Sequence, residues 1–173
     1  VPRDRRVEVD ERVLAEGSIR TPLDPEAAKA AAKLLLERGC EAVAIAFINA
    51  YANDANERAA LDAVRQVWPN DHVTASYLLV PEIREFERTS TATLNAYLQP
   101  PVARYLARLE EALAEQGAES DVLIVQANGG VMSIETAKAQ PIRTALSGPA
   151  AGVIAAAHIG GVAGYPNLIT CDM

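Results

Sequence analysis

Apolar and polar residues alternate along the first eighty positions in two patterns, one with helical spacing and one extended. Residues 24–39 carry the helical pattern: Asp24 supplies an N-cap, Pro25 suits the first helical position and Gly39 ends the helix. Residues 41–49 form a nearly uninterrupted apolar run, which predicts a central strand covered on both faces. A helix followed by a buried strand is typical of an α/β arrangement.

The same order of elements then repeats. Asn53 or Asp54 can cap a second helix that runs to about position 67, and residues 73–79 predict the next strand. The order helix, strand, helix, strand favours a parallel pair of strands joined by a right-handed crossover. Upstream of the first helix, residues 6–14 alternate apolar and polar positions about Asp10-Glu11, which predicts a small hairpin.

The second half of the chain begins with a long helical pattern that contains two prolines. Residues 94–113 keep one helical phase across Pro100 and Pro101, which predict a kink or a brief break. Residues 121–126 are apolar again and predict a third buried strand. The sequence Asn-Gly-Gly at 128–130 predicts a tight turn, where backbone can approach a ligand or another strand.

Two serines then precede helical segments of different kinds. Ser133 can cap a short helix, and Ser147 can cap a helix of small residues that has Pro149 in its first turn. Residues 168–172 predict a final strand. Buried strands alternating with helices predict an α/β fold with a mostly parallel sheet and helices on both faces.

Composition is consistent with this fold class. The chain has 173 residues, enough to bury a core in one or two domains. Half of the residues are hydrophobic but only 5% are aromatic, so the core consists of Ala, Leu, Val and Ile. Small aliphatic side chains allow helices to pack closely on a sheet, which favours an α/β or α+β fold over a sandwich.

Charge and cysteine content exclude some functions. The net charge of −7 argues against nucleic-acid binding, which needs clustered positive charge. Cys40 and Cys171 lie far apart without a metal-ligand spacing, so free buried thiols in a reducing compartment are favoured over a disulfide. The longest weakly polar run, 150–164, is too short to cross a bilayer, and no signal peptide is visible. We therefore expect a cytoplasmic protein.

Residues 81–97, PEIREFERTSTATLNAY, combine charged residues, hydroxyls and an Asn-Ala-Tyr sequence in one helical pattern. Leu94 and Leu98 lie four apart, so one face can pack while the charged residues lie at the helix start. The charged residues are Arg84, Glu85, Glu87 and Arg88, and the hydroxyl run comprises Thr89, Ser90, Thr91 and Thr93. One of the first three hydroxyls can act as N-cap. The charged residues can form a solvated run, bind a substrate carboxylate or hold a contact between domains.

Three positions are compatible with ligand chemistry. The turn at 128–130 and the helix start at Ser147-Gly148 can each bind an anion through free N–H groups, although on the residues alone a plain turn and a plain cap are the favoured explanations. Asp172 follows a predicted buried strand, where α/β folds place ligands, and its alternative is a simple strand end. His72 and His158 are expected in packing or at the surface, and no zinc-ligand set or other metal site is predicted.

Three motifs in order give the chain a family resemblance. They are PEIREFERTST-x-x-LNAY from position 81, QANGG at 126–130 and SGPAAG at 147–152. Together they resemble the hydantoinase A/5-oxoprolinase family of ATP-dependent ring-opening amidohydrolases, which also includes the acetone carboxylase beta subunit. The similarity extends from about Val7 to the last residue.

This resemblance implies a function for a longer protein. The chain looks cut at both ends, as an internal piece of an actin/sugar-kinase/Hsp70-like ATPase fold with a possible boundary near 80–90. The complete protein would use ATP and Mg²⁺ to phosphorylate and then hydrolyse a cyclic amide such as hydantoin or 5-oxoproline. Its expected partners are the rest of its own chain and a hydantoinase B-type subunit, and a homo-oligomer is possible. An acetone-carboxylase-type subunit and a non-catalytic assembly domain are the alternatives.

The resemblance also implies site residues. Asp172 would lie beside a Gly-Gly-Thr phosphate turn that family members carry after the Asp-Met pair, and would orient magnesium or water. The implied substrate or nucleotide cleft comprises Arg84, Glu87, Arg88, Thr89, Ser90, Asn95, Asn128, Gly129, Gly130, Ser147 and Gly148. The chain departs from the family at Ser76-Tyr77-Leu78, where Ser-His-Glu is common, and at Ala127, which replaces a serine. The piece alone is expected to fold and to bind no cofactor tightly, without turning over substrate.

Overall fold

The computed structural model describes residues 1–118 and 120–171 of an α/β chain. The chain forms two compact units, Val1–Pro101 and Val102–Met173, and the division between them falls inside one long helix. Unit 1 contains β1 (Arg12–Val13), β2 (Ile19–Thr21), α1 (Pro25–Glu37), β3 (Val43–Ile45), α2 (Ala55–Arg65), β4 (Val73–Ala75) and the first part of α3 (Glu85–Glu115). Unit 2 contains the rest of α3, β5 (Leu123–Val125), β6 (Val131–Ser133), α4 (Ile134–Ala139) and α5 (Ser147–Val162). Short 3₁₀ turns occur at Arg3–Arg5, Ser76–Leu78 and Pro141–Thr144.

The first hairpin lies further along the chain than the sequence pattern predicts. β1 and β2 pair antiparallel, and the turn between them contains Gly17 with φ of 89°. The Gly17 N–H donates to Leu14 O at 2.9 Å. The prediction of a hairpin about Asp10-Glu11 was wrong: the turn forms at Gly17, because glycine adopts the left-handed conformation without strain.

The two ends of α1 confirm the prediction made from local sequence. The Asp24 side chain accepts a hydrogen bond from the Glu26 N–H at 3.0 Å, and Pro25 is the first helical residue. Gly39 follows the helix with φ of 73°. Both signals depend on neighbouring residues alone, which is why they can be read without the tertiary fold.

β3 and β4 form the predicted parallel pair, with Val43 opposite Val73 and Ile45 opposite Ala75. Both strands have three residues, fewer than the apolar runs suggest. After Ala75 the chain enters a 3₁₀ turn instead of continuing as strand to position 79. The strand ends there because the Ser76 hydroxyl and the Tyr77 N–H both donate hydrogen bonds to the buried carboxylate of Glu57.

The prediction of a mostly parallel sheet was wrong for the described residues. Three separate two-stranded sheets are present, and only β3–β4 is parallel. β5 is not the buried strand expected at 121–126, since Leu123 is 59% exposed. It pairs antiparallel with β6, a three-residue strand too short to give a recognisable pattern. Residues 168–171 form no strand, and position 172 lies outside the described residues.

α3 begins before the hydroxyl run and continues through both prolines. Its first residue is Glu85, so the prediction that Thr89, Ser90 or Thr91 caps the helix was wrong. The Thr91 hydroxyl instead donates to Glu87 O at 2.7 Å, which satisfies it inside the helix. The helical conformation persists across Pro100 and Pro101 to Glu115, so the predicted brief break is not observed.

The helix starts after β6 differ from each other. The Ser133 hydroxyl accepts from the Thr136 N–H at 3.2 Å, which confirms the cap predicted for α4. Ser147 makes no cap bond, because it is already the first residue of α5 and the capping position is Leu146 with φ of 61°. A leucine side chain offers no hydrogen-bond acceptor, so the first turn of α5 is uncapped. Its helix extends to Val162, as the run of small residues predicts.

Each unit has its own hydrophobic core. The first is built on α1, α2, β3 and β4 from Leu23, Ala28, Ala32, Val43, Ile45, Ala60, Leu61, Ala63, Val64, Trp68, Val73 and Ala75. The second consists of Leu106, Met132, Ile134 and Ala137. Cys40 is half-buried and Cys171 is exposed, and both are free thiols, so the expectation that both are buried was wrong for Cys171. Within the part of the chain that the structure describes, no helix combines the length and apolar character that a membrane span requires.

We expect Asp24→Ala to destabilise the protein by about 1 kcal/mol, because it removes the acceptor for the Glu26 N–H at the start of α1. Ser147→Ala is the matched control, since this serine lies at a helix start without making a cap bond. Urea unfolding of both variants measures the difference. Equal losses of stability in the two variants would contradict the assignment of the caps.

Candidate functional site

Glu57 is the acid at the centre of unit 1, on α2, and its side chain is fully buried. Its Oε1 accepts hydrogen bonds from the Phe47 N–H at 2.6 Å and the Ser76 hydroxyl at 2.7 Å, and its Oε2 accepts from the Tyr77 N–H at 3.0 Å. Phe47 follows β3 and Ser76 follows β4. One carboxylate therefore joins the carboxyl ends of the two parallel strands, the edge where α/β folds bind ligands.

Burial determines the protonation behaviour of this acid. Removal from water raises the pKa of Glu57 above its usual value. The hydrogen bonds from Ser76, Phe47 and Tyr77 and the positive charge of Arg88 act in the opposite direction and only partly offset the effect of burial. Glu57 thus takes up a proton more readily in the folded protein than in the unfolded chain.

Arg88 approaches the same strand end from α3. Its side chain is 1% exposed, and its Nη2 donates to Phe47 O. Phe47 is therefore held at its N–H by Glu57 and at its carbonyl by Arg88. The guanidinium carbon lies 5.9 Å from the centre of the Tyr51 ring, within the range of a cation–π interaction.

The face of α3 that is buried in unit 1 carries polar side chains beside the small apolar Ala92 and Ala96. The Asn95 Nδ2 donates to the Thr74 hydroxyl at 2.9 Å, and that hydroxyl donates to Gln99 Oε1 at 3.0 Å. All three side chains are buried. Leu94, expected on the packing face, is 52% exposed, because the neighbouring rows that carry Asn95 face the core.

Glu85 ties the start of α3 to the segment after β3. Its Oε1 accepts from the Asn49 N–H at 3.2 Å, and Asn49 Nδ2 donates to Val13 O at 2.9 Å. Asn49 has φ of 59°, a left-handed conformation that asparagine tolerates better than most residues. The hydrogen bond from Asn49 lowers the pKa of Glu85, which favours its carboxylate form.

The remaining predicted residues of this segment lie at the surface. Arg84 and Glu87 are exposed, and their side chains approach to 3.6 Å as a solvated pair. Thr89 is exposed and Ser90 is half-buried. Of the cleft residues predicted in this segment, only Arg88 and Asn95 are buried in the interior of unit 1.

The predicted Asn-Gly-Gly turn is the loop of the β5–β6 hairpin in unit 2. The Gly129 N–H donates to Gln126 O and the Gly130 N–H donates to Asn128 Oδ1, both at 2.9 Å. Gly129 has φ of 84°, and a Cβ at this position would lie 2.2 Å from Ile154 Cδ1. The turn requires glycine for its conformation and for its approach to α5, and its two glycine donors are satisfied within the loop.

Ser147 and Gly148 lie at the start of α5, also in unit 2. A Cβ at Gly148 would meet no heavy atom within 4 Å, so nothing in the described chain requires glycine there. Asp172, predicted as catalytic, lies outside the described residues. The predicted residues thus fall into two groups in separate units: Arg88 and Asn95 in unit 1, and the hairpin turn with the α5 start in unit 2.

Two features of the described residues bear on metal and phosphate binding. Within 1–118 and 120–171 no cluster of three His, Cys, Asp or Glu side chains is arranged to hold a metal ion. The Asn-Gly-Gly turn does not fit a phosphate group, because its glycine N–H donors already have partners within the hairpin.

Sequence reasoning missed Glu57, although the sequence contains a signal for it. Glu57 precedes Ala60, Leu61 and Val64 at helical spacing, so it lies on the buried face of α2. An acid on an otherwise apolar face must find donors or take up a proton. An acidic residue on the apolar face of a helix is therefore the sequence signal that identifies the centre of this site.

Comparison with known proteins gives two matches to family models. The description "Hydantoinase/oxoprolinase" applies to the model that matches residues 88–173. The description "Hydantoinase/oxoprolinase N-terminal region" applies to the model that matches residues 1–68.

Individual relatives match along most of the chain. It is 35% identical over 173 residues to caprolactamase subunit alpha of Pseudomonas jessenii, covering 100% of this chain and 25% of that protein. It is 32% identical over 177 residues to the acetone carboxylase beta subunit of Xanthobacter autotrophicus, covering 100% of this chain and 24% of that protein. It is 28% identical over 131 residues to 5-oxoprolinase of Saccharomyces cerevisiae, covering 76% and 10%. The chain thus spans about a quarter of the length of the first two relatives.

Two solved structures share the fold. The ATP-dependent caprolactamase of Pseudomonas jessenii superposes with a TM-score of 0.90 at 35% identity, over 100% of this chain and 25% of that one. A nucleotide-free structure of acetone carboxylase superposes with a TM-score of 0.78 at 32% identity, over 95% of this chain and 23% of that one.

Glu57→Ala is expected to open the carboxyl ends of β3 and β4, because it leaves the buried Ser76 hydroxyl and two part-buried backbone N–H groups without an acceptor. We expect a loss of about 3 kcal/mol or more, as for removal of one partner from a buried charged network. Hydrogen exchange at the Phe47 and Tyr77 amides reports the loss locally. Asp62→Ala, at an exposed position on the same helix, should leave both amides protected; equal deprotection in both variants would argue against the network.

The raised pKa of Glu57 fixes the sign of a pH effect. The stability that its proton contributes is fully present below the unfolded pKa of about 4.3 and is lost as pH rises through the folded pKa. Glu57→Gln cannot titrate, so its stability should fall less than that of the wild type as pH rises through this window. Urea unfolding from pH 4 to pH 8 measures both curves. Parallel curves would show that Glu57 does not titrate with a raised pKa.

Proposed function

Because this chain belongs to the hydantoinase/oxoprolinase family, we propose that the complete protein hydrolyses a cyclic amide and couples the reaction to cleavage of ATP. The observation that carries the proposal is the match to the ATP-dependent caprolactamase, which extends over all of this chain with a TM-score of 0.90. The substrate class follows from chemistry: caprolactam and 5-oxoproline, for which two relatives are named, are both cyclic amides.

The part played by this chain is to shape the edge after β3 and β4. Glu57 and Arg88 hold Phe47 from opposite sides, and Glu85 holds Asn49. These contacts fix the segment from Phe47 to Tyr51 beside the polar face of α3. Because this segment is already rigid, it can orient a substrate without first having to become ordered in each catalytic cycle.

ATP would supply the phosphoryl group that makes the amide carbon reactive toward water, and Mg²⁺ would balance its charge. Residues outside the described part of this chain would hold both, consistent with the actin/sugar-kinase/Hsp70-like fold proposed for the complete protein. Asp172 stays a candidate for orienting magnesium or water. Relatives named as alpha, beta and gamma subunits support a partner subunit of the hydantoinase B type.

A second candidate is an ATP-dependent carboxylase. The acetone carboxylase structure superposes over 95% of the chain with a TM-score of 0.78. Both candidate reactions use ATP and act on a small neutral substrate, so the fold of this chain is compatible with each. The substrate and a requirement for bicarbonate separate them.

We expect ADP release by the complete protein, with its partner subunit, to be stimulated by a cyclic amide. The assay compares 5-oxoproline, hydantoin, N-methylhydantoin and caprolactam with acetone plus bicarbonate, each against ATP alone. Stimulation confined to acetone plus bicarbonate would move the protein to the carboxylases. If neither class stimulates release, a non-catalytic assembly domain becomes the favoured function.

Residues 1–173 in isolation should fold and release no ADP. The physical reason is that the described residues hold no metal cluster and that the glycine donors of the hairpin turn are satisfied internally. Circular dichroism tests folding, and a coupled ADP assay tests turnover, with the complete protein as the positive control. Sustained ATP hydrolysis by the isolated residues would contradict this division of labour.

A further inference from the structure

Arg88 has buried donors that nothing in the described chain satisfies. Its side chain is 1% exposed, and Nη2 donates to Phe47 O. Nε and Nη1 are also buried, and neither has a hydrogen-bond acceptor within residues 1–118 and 120–171. A guanidinium group is always charged and carries only donors, so leaving two of its nitrogens unpaired in the interior is costly. The missing element is an oxygen acceptor.

The two neighbouring acids are engaged elsewhere. The Glu57 oxygens accept from Phe47, Ser76 and Tyr77. Glu85 Oε1 accepts from the Asn49 N–H and lies 3.7 Å from Arg88 Nη2, beyond hydrogen-bond distance. Neither carboxylate therefore supplies the acceptor that Nε and Nη1 lack.

The charges around Arg88 select the kind of acceptor. Two carboxyl groups, Glu57 and Glu85, already surround one guanidinium, and the pKa of Glu85 is lowered. A further anion would be repelled by the Glu85 carboxylate, whereas a neutral carbonyl oxygen would not. The Tyr51 ring adds an apolar surface beside the guanidinium that suits the ring of a small ligand. Glu85 is 42% exposed at its side chain, so the guanidinium lies one side chain beneath the surface.

We propose that Arg88 is a substrate-binding residue that donates through Nε or Nη1 to the neutral carbonyl oxygen of a cyclic amide. The ligand class rests on the proposed function, and the need for a neutral acceptor rests on the charges around Arg88. The ring lies against Tyr51. A donor that is charged and already buried binds a carbonyl more strongly than a solvated one would.

The test is equilibrium binding of caprolactam and of acetate to the complete protein in the absence of ATP, by calorimetry. Arg88→Met removes the donors, Arg88→Lys keeps the charge, and Arg84→Met removes an exposed guanidinium from the same segment. Caprolactam affinity should fall about 10-fold or more in Arg88→Met, less in Arg88→Lys, and stay within about twofold in Arg84→Met. Unchanged affinity in a folded Arg88→Met protein would overturn the proposal. So would Arg88-dependent binding of acetate in preference to caprolactam.

A second measurement needs no substitution, since Arg88→Met can unfold the protein by removing a buried group. A crystal structure of the complete wild-type protein with caprolactam should show the carbonyl oxygen within about 3.2 Å of Nε or Nη1. Occupation of both nitrogens by another segment of the protein would overturn the proposal. Because no step requires ATP, Arg88-dependent binding without stimulated ADP release would refute the proposed function and leave this inference standing.

Discussion

The burial of Glu57 is the constraint on which the rest of unit 1 depends. A carboxylate withdrawn from water must accept hydrogen bonds or take up a proton, and this one accepts from Phe47, Ser76 and Tyr77. Those donors belong to the segments that follow β3 and β4. An acid on α2 therefore decides where both strands stop, and their common carboxyl edge is shaped by a side chain outside the sheet.

The same edge explains the unusual polarity of α3. A surface helix normally buries an apolar stripe, but α3 buries Arg88, Asn95 and Gln99 and exposes Phe86 and Tyr97. Polar side chains in the interior contribute little stability beyond what they recover through their hydrogen bonds, and they restrict the helix to one arrangement. The buried polar contacts of α3 thus fix its geometry more than they add to its stability.

The sequence allowed prediction of features that depend on neighbours and failed where they depend on distant residues. The Asp24 and Ser133 caps were predicted because donor and acceptor are within three residues of each other. The sequence pattern placed Asn95 on a packing row, and it is buried, but the exposure of Leu94 was not predicted, because helical periodicity gives the spacing of a stripe but not which of two adjacent stripes faces the core. The cap predicted at Ser147 was wrong for a local reason: Leu146 occupies the capping position in the left-handed conformation.

The structure accounts differently for two features of the sequence that suggested ligand binding, the Asn-Gly-Gly turn and Arg88. In the Asn-Gly-Gly turn, Gly129 is required by its positive φ and by its distance to Ile154, so hairpin geometry accounts for it without a ligand. For Arg88 the reverse holds. Within residues 1–118 and 120–171, the fold around it supplies a carbonyl for one nitrogen and leaves two without acceptors, although a methionine or leucine would fill the same space without this penalty. A buried charge that the fold only partly satisfies is better explained by what it binds than by what it stabilises, which moves the candidate site from the glycine turn to the start of α3.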